Sequence, residues 1–335
     1  MKAYIKAISH YLPEKILSND ILSAEFPEWS VEKISDKTGI FERKIAADNE
    51  YSSDMAIKAA NILFIENNID RNDIDFIILC TQSPDYFLPT TACIVQDKLS
   101  IPTSAGAFDF NLGCSGYIYG LAIAKGLIAG NIAKNILLIT SETYSKFIHP
   151  QDKSNRTIFG DAASATLISS DGFAEIGEFD LGTDGKGEEN LIVKRGGLRY
   201  PKTGDNETVS FDEYGNAKNE NFLFMNGTAI FNFTSQKVPI LVNNTLTKNN
   251  LIMSNIDLFI FHQANRFMLN HLRKKLSIPE ERFYLFLKTC GNTVSSTIPI
   301  ALEEAYKTKN INPGNKILLS GFGVGYSWGG TVLYF

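Results

Sequence analysis

The chain repeats itself, and the repeat restricts its possible folds more than any other feature. Asn67-Asn68-Ile69 through Ile74-Asp75-Phe76-Ile77-Ile78-Leu79-Cys80 aligns without a gap on Asn249-Asn250-Leu251 through Ile256-Asp257-Leu258-Phe259-Ile260-Phe261-His262, at an offset of 182 residues (256 minus 74). Lys134-Asn135-Ile136-Leu137-Leu138-Ile139 matches Asn315-Lys316-Ile317-Leu318-Leu319-Ser320 at an offset of 181 (317 minus 136). Nearly equal offsets for two separate segments point to two similar halves. They meet around residues 170–175, so the expected division is 1–172 and 173–335.

The repeated segments are apolar throughout, without the alternation of a half-exposed strand. Ile74–Cys80, Ile136–Thr140 and Ile256–Phe261 read as strands buried on both faces, which requires helices on both sides of a sheet. Helical periodicity falls between them, over Ser52–Asn67, Gly116–Ala129, Ala264–Leu276 and Pro299–Lys307, and proline is tolerated in the first turn of the last. The fold class is therefore α/β. The stretch from Asp180 to Phe222 is rich in Gly, Glu and Asn and reads as a long excursion with a hairpin that covers a site.

Composition serves mainly to exclude. A formal net charge of -5 leaves no general footprint for nucleic acid. No apolar stretch approaches the roughly 20 residues that span a bilayer. Met1 to Pro13 alternates like a strand and lacks the core of a signal peptide. Cys80, Cys93, Cys114 and Cys290 fit no zinc spacing, so no metal is expected and the thiols read as reduced. A cytoplasmic location is the expectation.

The chemistry gathers on three polar residues. Cys114 lies in Phe110-Asn111-Leu112-Gly113-Cys114-Ser115-Gly116, where a strand gives way to a helix rich in small residues. A lone cysteine is ordinarily a small buried hydrophobe. At a helix N-terminus, free N–H groups and the dipole favour the thiolate, which suits a nucleophile that carries an acyl group as a thioester. His262 ends a buried strand and Asn292 lies in the turn Cys290-Gly291-Asn292-Thr293; each alone has ordinary structural explanations. Together with Cys114 they read as a thiol with two hydrogen-bonding partners. The tail Gly321-Phe322-Gly323-Val324-Gly325 exposes N–H groups able to stabilise an oxyanion, and it lacks the Lys-Ser/Thr of a nucleotide-binding loop. Arg266, Arg273, Lys274 and Lys275 form a basic strip beside His262, suited either to an acidic partner or to a solvated face.

These motifs, in this order, resemble the β-ketoacyl-acyl-carrier-protein synthase III family of thiolase-fold condensing enzymes. The resemblance runs over essentially the whole chain, through Lys37-Thr38-Gly39-Ile40 with Glu42-Arg43, Asn111–Gly116, Phe159-Gly160-Asp161-Ala162, Met225-x-Gly227, His262–Asn265, Gly291–Ser296 and Gly321–Gly330. It implies a thiolase-like duplicated fold in five αβαβα layers and a homodimer. It also implies acyl-CoA or acyl-carrier-protein thioesters as substrates, with no separate cofactor. By resemblance Cys114 is the acylated nucleophile. His262 and Asn292 bind the malonyl thioester carbonyl, and the amides of Cys114 and Val324 form the oxyanion hole. Lys37, Leu88, Lys153, Phe159 and Asn265 become substrate contacts, Leu88 reaching in from a partner subunit, and Arg266, Arg273, Lys274 and Lys275 become the carrier-docking residues.

The chain departs from the commoner pattern at several of these places. Lys33 stands where many members carry an adenine-stacking tryptophan, with Trp29 displaced by four positions. Lys153 and Lys37 replace arginines, Phe267 replaces the docking arginine, and Val324 replaces a glycine. These changes point away from acetyl-CoA as the obligatory acyl donor.

Other readings use the same residues. The order Cys, His, Asn and the 148-residue gap from Cys114 to His262 (262 minus 114) suit a papain-like protease, but that family's local cysteine signature is missing. Hydroxymethylglutaryl-CoA synthase would want a glutamate base and lacks the Asn292 motif. An acyltransferase passing the Cys114 acyl group to an alcohol or amine, or a non-catalytic partner subunit, would keep the fold and change the reaction.

Overall fold

The computed structural model describes residues 1–202, 209–213 and 215–335. The first half runs β1 (Tyr4–Tyr11), β2 (Lys15–Ser18), α1 (Asn19–Glu25), α2 (Val31–Thr38), β3 (Glu42–Ile45), α3 (Ser52–Glu66), β4 (Phe76–Cys80), α4 (Thr91–Lys98), β5 (Gly106–Phe110), α5 (Gly116–Ala129), β6 (Asn135–Glu142), α6 (Lys153–Arg156) and β7 (Ala162–Ser169). The second runs β8 (Ala174–Ile176), β9 (Asp180–Thr183), β10 (Leu191–Val193), β11 (Ser210–Phe211), β12 (Ala217–Lys218), β13 (Leu223–Met225), α7 (Gly227–Lys248), β14 (Leu258–Phe261), α8 (Arg266–Lys275), α9 (Thr297–Lys307), β15 (Lys316–Gly323) and β16 (Ser327–Tyr334). We propose 172/173 as the boundary between the halves; it falls in the turn joining β7 to β8.

Physical details recur at the offsets read from the sequence. β6 and β15 are both eight residues long and start 181 residues apart (316 minus 135). The repeated aspartate clasps the start of the neighbouring parallel strand. Asp75 accepts from the backbone N–H groups of Lys134 at 2.9 Å and Asn135 at 3.1 Å, and Asp257 accepts from Lys316 N–H at 2.7 Å. Left-handed residues also pair up between the halves, Asn68 with Asn250 at the offset of 182 (250 minus 68), and Ser100 with Ser277 and Asn131 with Lys309 at shorter offsets of 177 (277 minus 100) and 178 (309 minus 131). Each is the second residue beyond its helix, where the left-handed conformation closes the last turn.

The strands are apolar on both faces because two helix layers claim alternate side chains. In β4, Ile77 and Leu79 pack on Met55, Ala59 and Leu63 of α3, whereas Ile78 faces inward to Ile118 and Leu121 of α5. In the second half, Phe259 and Phe261 pack outward with Val242 of α7 and Leu269 of α8, and Ile260 faces inward with Ile298 and Leu302 of α9. The central pair α5 and α9 lies between the two sheets, giving the αβαβα order expected. β8 pairs with both β1 and β16 and joins the sheets at their edges. The counterpart of β5 in the second half is reduced to one bridge, Phe259 to Phe283.

Helix limits differ slightly from the sequence expectation. The helix expected over 264–276 starts at Arg266, because the Asn265 side chain accepts from Met268 N–H at 2.9 Å and caps it. In the Asp180–Phe222 excursion β11 and β12 form a short antiparallel pair, and the ladder of β10 with β13 closes just beyond it. Residues 203–208 and 214 of this stretch lie outside the described residues.

Candidate active site

Cys114 sits in the tight turn between β5 and α5, where Gly116 N–H donates to Gly113 carbonyl at 2.7 Å. The glycines of the tail explain how β15 approaches it. A β-carbon on Gly323 would lie 2.8 Å from the Cys114 sulfur, so only glycine permits this contact between the halves. Burial, followed by the nearby Glu142 carboxyl, pushes the thiol up to about 12, against the smaller lowering effect of the Cys114 and Val324 backbone. The sequence predicts a helix-stabilised thiolate; in the folded chain desolvation outweighs the amides, and the resting group is a thiol.

His262 follows β14, its N–H bonded to Ser320 carbonyl at 2.8 Å. Its ring meets Phe322 edge-on, and Nδ1 lies 2.7 Å from Thr297 Oγ1. Burial holds its pKa down to about 3, so the imidazole is neutral. Asn292 follows Gly291, whose φ of +76° favours glycine, and is fixed by a backbone bridge to Phe159. Asn292 Oδ1 accepts from Val294 N–H at 3.0 Å, which leaves the Nδ2 amide hydrogens for another partner.

The three residues, remote along the chain, line one cavity of about 150 Å³. Phe159, Leu191, Met225, Ile230 and Met268 supply its apolar wall, with Asn265 beside them. Leu191 and Met225 are cross-strand partners in β10 and β13, so the frame of the excursion does cover the site. A larger hollow of about 960 Å³ opens within the excursion itself but contains none of the three. The smaller cavity is the candidate site on chemical grounds.

One acidic group was missed from sequence. Glu142 ends the apolar strand β6 and is fully buried. Its carboxyl accepts from Gln82 N–H at 3.0 Å, Ser83 Oγ at 3.3 Å and Ser295 Oγ at 2.8 Å. Burial dominates and raises its pKa to about 8. An acid terminating an otherwise apolar strand was the available signal.

The remaining expected residues lie apart from the cavity. Lys37 and Lys33 lean over Trp29, with Nζ 5.6 and 5.1 Å from the ring centre. Lys153 is ion-paired with Glu28, and Arg156 with Glu25. Leu88 is 82 % exposed beside Phe87 at 80 %. In the basic strip, Arg266 donates to Ser35 carbonyl at 3.1 Å, and Arg273 to Ile278 carbonyl and Glu280 at 3.3 Å each. Lys274 and Lys275 are exposed, although Lys275 donates to Ser235 Oγ at 3.0 Å. Among the described residues no cluster of three or more His, Cys, Asp or Glu side chains could hold a metal ion, and no helix is long and apolar enough to cross a membrane.

Residues 108–185 match the family profile described as 3-oxoacyl-[acyl-carrier-protein (ACP)] synthase III, and residues 246–335 match its C-terminal part. A β-ketoacyl-[acyl-carrier-protein] synthase III of Caldanaerobacter subterraneus subsp. tengcongensis is 37% identical over 333 residues, covering 99% of this chain and 97% of its own. The chain belongs to the β-ketoacyl-acyl-carrier-protein synthase III family. A solved 3-oxoacyl-(acyl-carrier-protein) synthase III superposes with a TM-score of 0.97 at 48% identity, covering 100% of both chains. A 3-oxoacyl-(acyl-carrier protein) synthase from Burkholderia xenovorans LB400 gives 0.91 at 37% identity, over 99% of this chain and 94% of its own. The synthase III fold thus extends over the full length, including the segments that carry Cys114, His262 and Asn292.

Proposed function

We propose that this synthase III catalyses decarboxylative condensation of an acyl thioester with malonyl-acyl-carrier protein through an acyl-Cys114 intermediate. The observation that carries the reading is the shared cavity of Cys114, His262 and Asn292. Cys114 sulfur attacks the acyl thioester carbonyl and the donor thiol leaves. The malonyl thioester then binds with its carbonyl oxygen at Asn292 Nδ2 and His262. Loss of carbon dioxide places negative charge on that oxygen, where neutral donors stabilise it without protonating the carbanion. The carbanion attacks acyl-Cys114, with the amides of Cys114 and Val324 receiving the oxyanion, and a 3-oxoacyl thioester leaves. Initiation of fatty-acid synthesis, or of a related specialised lipid or polyketide pathway, is the role that follows.

The cavity of about 150 Å³ has room for a group about the size of benzene beside Cys114, which suits a short acyl chain. Glu28 and Glu25 neutralise Lys153 and Arg156, which disfavours a phosphorylated nucleotide there and favours a carrier-bound donor over acetyl-CoA. Homodimerisation is supported by β5, an edge strand paired only with β4 among the described residues, and by the exposed Phe87 and Leu88. The buried thiols Cys80, Cys114 and Cys290, all unpaired, suit a reducing cytoplasm.

The test is mass spectrometry of the protein after exposure to acyl-CoA and acyl-carrier donors of graded length, native against Cys114→Ala. The native chain should gain short acyl groups and the variant none. Equal mass gain by both removes Cys114 from the mechanism, and preference for acetyl-CoA removes the carrier-bound donor.

A further inference from the structure

His262 has one proton to place and two nitrogens to place it on. Nδ1 lies 2.7 Å from Thr297 Oγ1, at the first residue of α9. Thr297 Oγ1 is also 3.0 Å from the Val294 carbonyl. A carbonyl only accepts, so it takes the hydroxyl hydrogen, and the hydroxyl oxygen then accepts from Nδ1–H. This arrangement places the proton on Nδ1 and leaves Nε2 with a lone pair. Rotating the hydroxyl hydrogen onto a bare Nδ1 gives the opposite tautomer, with Nε2–H.

The same backbone unit holds Asn292. Val294 has a φ of +56°, unusual for a β-branched residue. In this conformation its N–H binds Asn292 Oδ1 while its carbonyl accepts from Thr297 Oγ1, which in turn meets His262 Nδ1. One strained peptide therefore orients both polar partners of Cys114.

We propose that Thr297 is a positioning residue whose hydroxyl, accepting from Nδ1–H or donating to bare Nδ1, lets His262 act as a proton acceptor in acylation and as a hydrogen-bond donor in condensation. This rests on the condensing function proposed above. In acylation Nε2 takes the Cys114 thiol proton, the sulfur–carbon bond forms, the donor's carbon–sulfur bond breaks, and the leaving thiolate recovers the proton from Nε2. The neutral ring then exchanges its proton from Nδ1 to Nε2 through water, with no net change. In condensation the bond to the malonyl carboxylate breaks and carbon dioxide leaves. The enolate oxygen accepts from Nε2–H and Asn292 Nδ2–H. A carbon–carbon bond forms to the acyl carbon, its bond to Cys114 breaks, and the thiolate takes a proton from water. A hydroxyl can serve both tautomers; an apolar side chain can neither accept from Nδ1–H nor donate to a bare Nδ1, so nothing there supports the Nε2–H tautomer.

Two measurements test this. The first follows the half-reactions separately: acyl-Cys114 formation by mass spectrometry, and carbon dioxide release from malonyl-carrier protein. Thr297→Val should keep acylation and lose decarboxylation by about a hundredfold, the scale of one lost donor, whereas Thr297→Ser should keep both. The second records His262 15N shifts in the native protein, alone and with a malonyl thioester analogue that cannot lose carbon dioxide; the proton should move from Nδ1 to Nε2. Thr297→Val with both half-reactions intact, or the same tautomer in both native states, overturns the inference. If the native protein releases no carbon dioxide from malonyl-carrier protein, the functional reading itself fails, separately from the role of Thr297.

Discussion

Burial drives all three titratable groups around the cavity toward their neutral forms. The Cys114 thiol is pushed up to about 12, His262 down to about 3, and Glu142 up to about 8. Glu142 makes the effect measurable. Its folded pKa lies above the ordinary 4.5, so between about 4.5 and 8 the folded chain keeps a proton that the unfolded chain has lost. Stability therefore falls as pH rises through that window and levels off above it, by on the order of a few kcal/mol at most. Glu142→Gln keeps the shape and removes the titration. Urea unfolding from pH 5 to pH 9 should show the native decline and a flatter profile in the variant; parallel profiles would mean that Glu142 is ionised throughout. The candidate residues that share the cavity were legible in the sequence from their local motifs. Their charge states were not, because desolvation depends on neighbours brought in from the other half.

At the scale of elements, the Ile-Asp pair that marks the repeat has a mechanical role. Each aspartate fastens the start of one parallel strand to the start of its neighbour, so the repeated sequence preserves a repeated clasp. Asp75 holds two N–H groups and Asp257 one. Asp75→Ala should cost about 3 kcal/mol and Asp257→Ala about 1.5 kcal/mol, taking the low end of the worth of a hydrogen bond to a charged acceptor. Equilibrium denaturation of the two variants checks the order, and equal or reversed losses would sink the clasp argument. The continuous apolar strands were legible because burial on both faces leaves no polar position. The thin second-half counterpart of β5 was not, since Phe283 forms its bridge from within an irregular segment. Arg266 and Arg273 illustrate the same gap: helical spacing set them beside His262, but their contacts with Ser35, Ile278 and Glu280 follow from tertiary packing.

For the molecule as a whole, the first half ends its sheet in the open edge β5, and the segment before α4 exposes Tyr86, Phe87 and Leu88. An uncovered edge beside exposed apolar side chains calls for a partner. Phe87→Asp combined with Leu88→Asp should convert the proposed dimer to monomer in sedimentation velocity, without loss of native circular dichroism. A native protein that sediments as a monomer would end the proposal. The sequence by itself determined two related α/β halves, since a strand covered on both faces must be apolar along its whole length and a duplicated pattern survives as an offset. It also singled out Cys114, His262 and Asn292 as candidates, because a strand-to-helix cysteine turn, a strand-end histidine and a glycine-flanked asparagine are written locally. Only the tertiary structure decided that Val294 and Thr297 orient Asn292 and His262, and which cations are already engaged. Hydrogen bonding and desolvation act over a few ångströms in space, and no spacing along the chain encodes those distances.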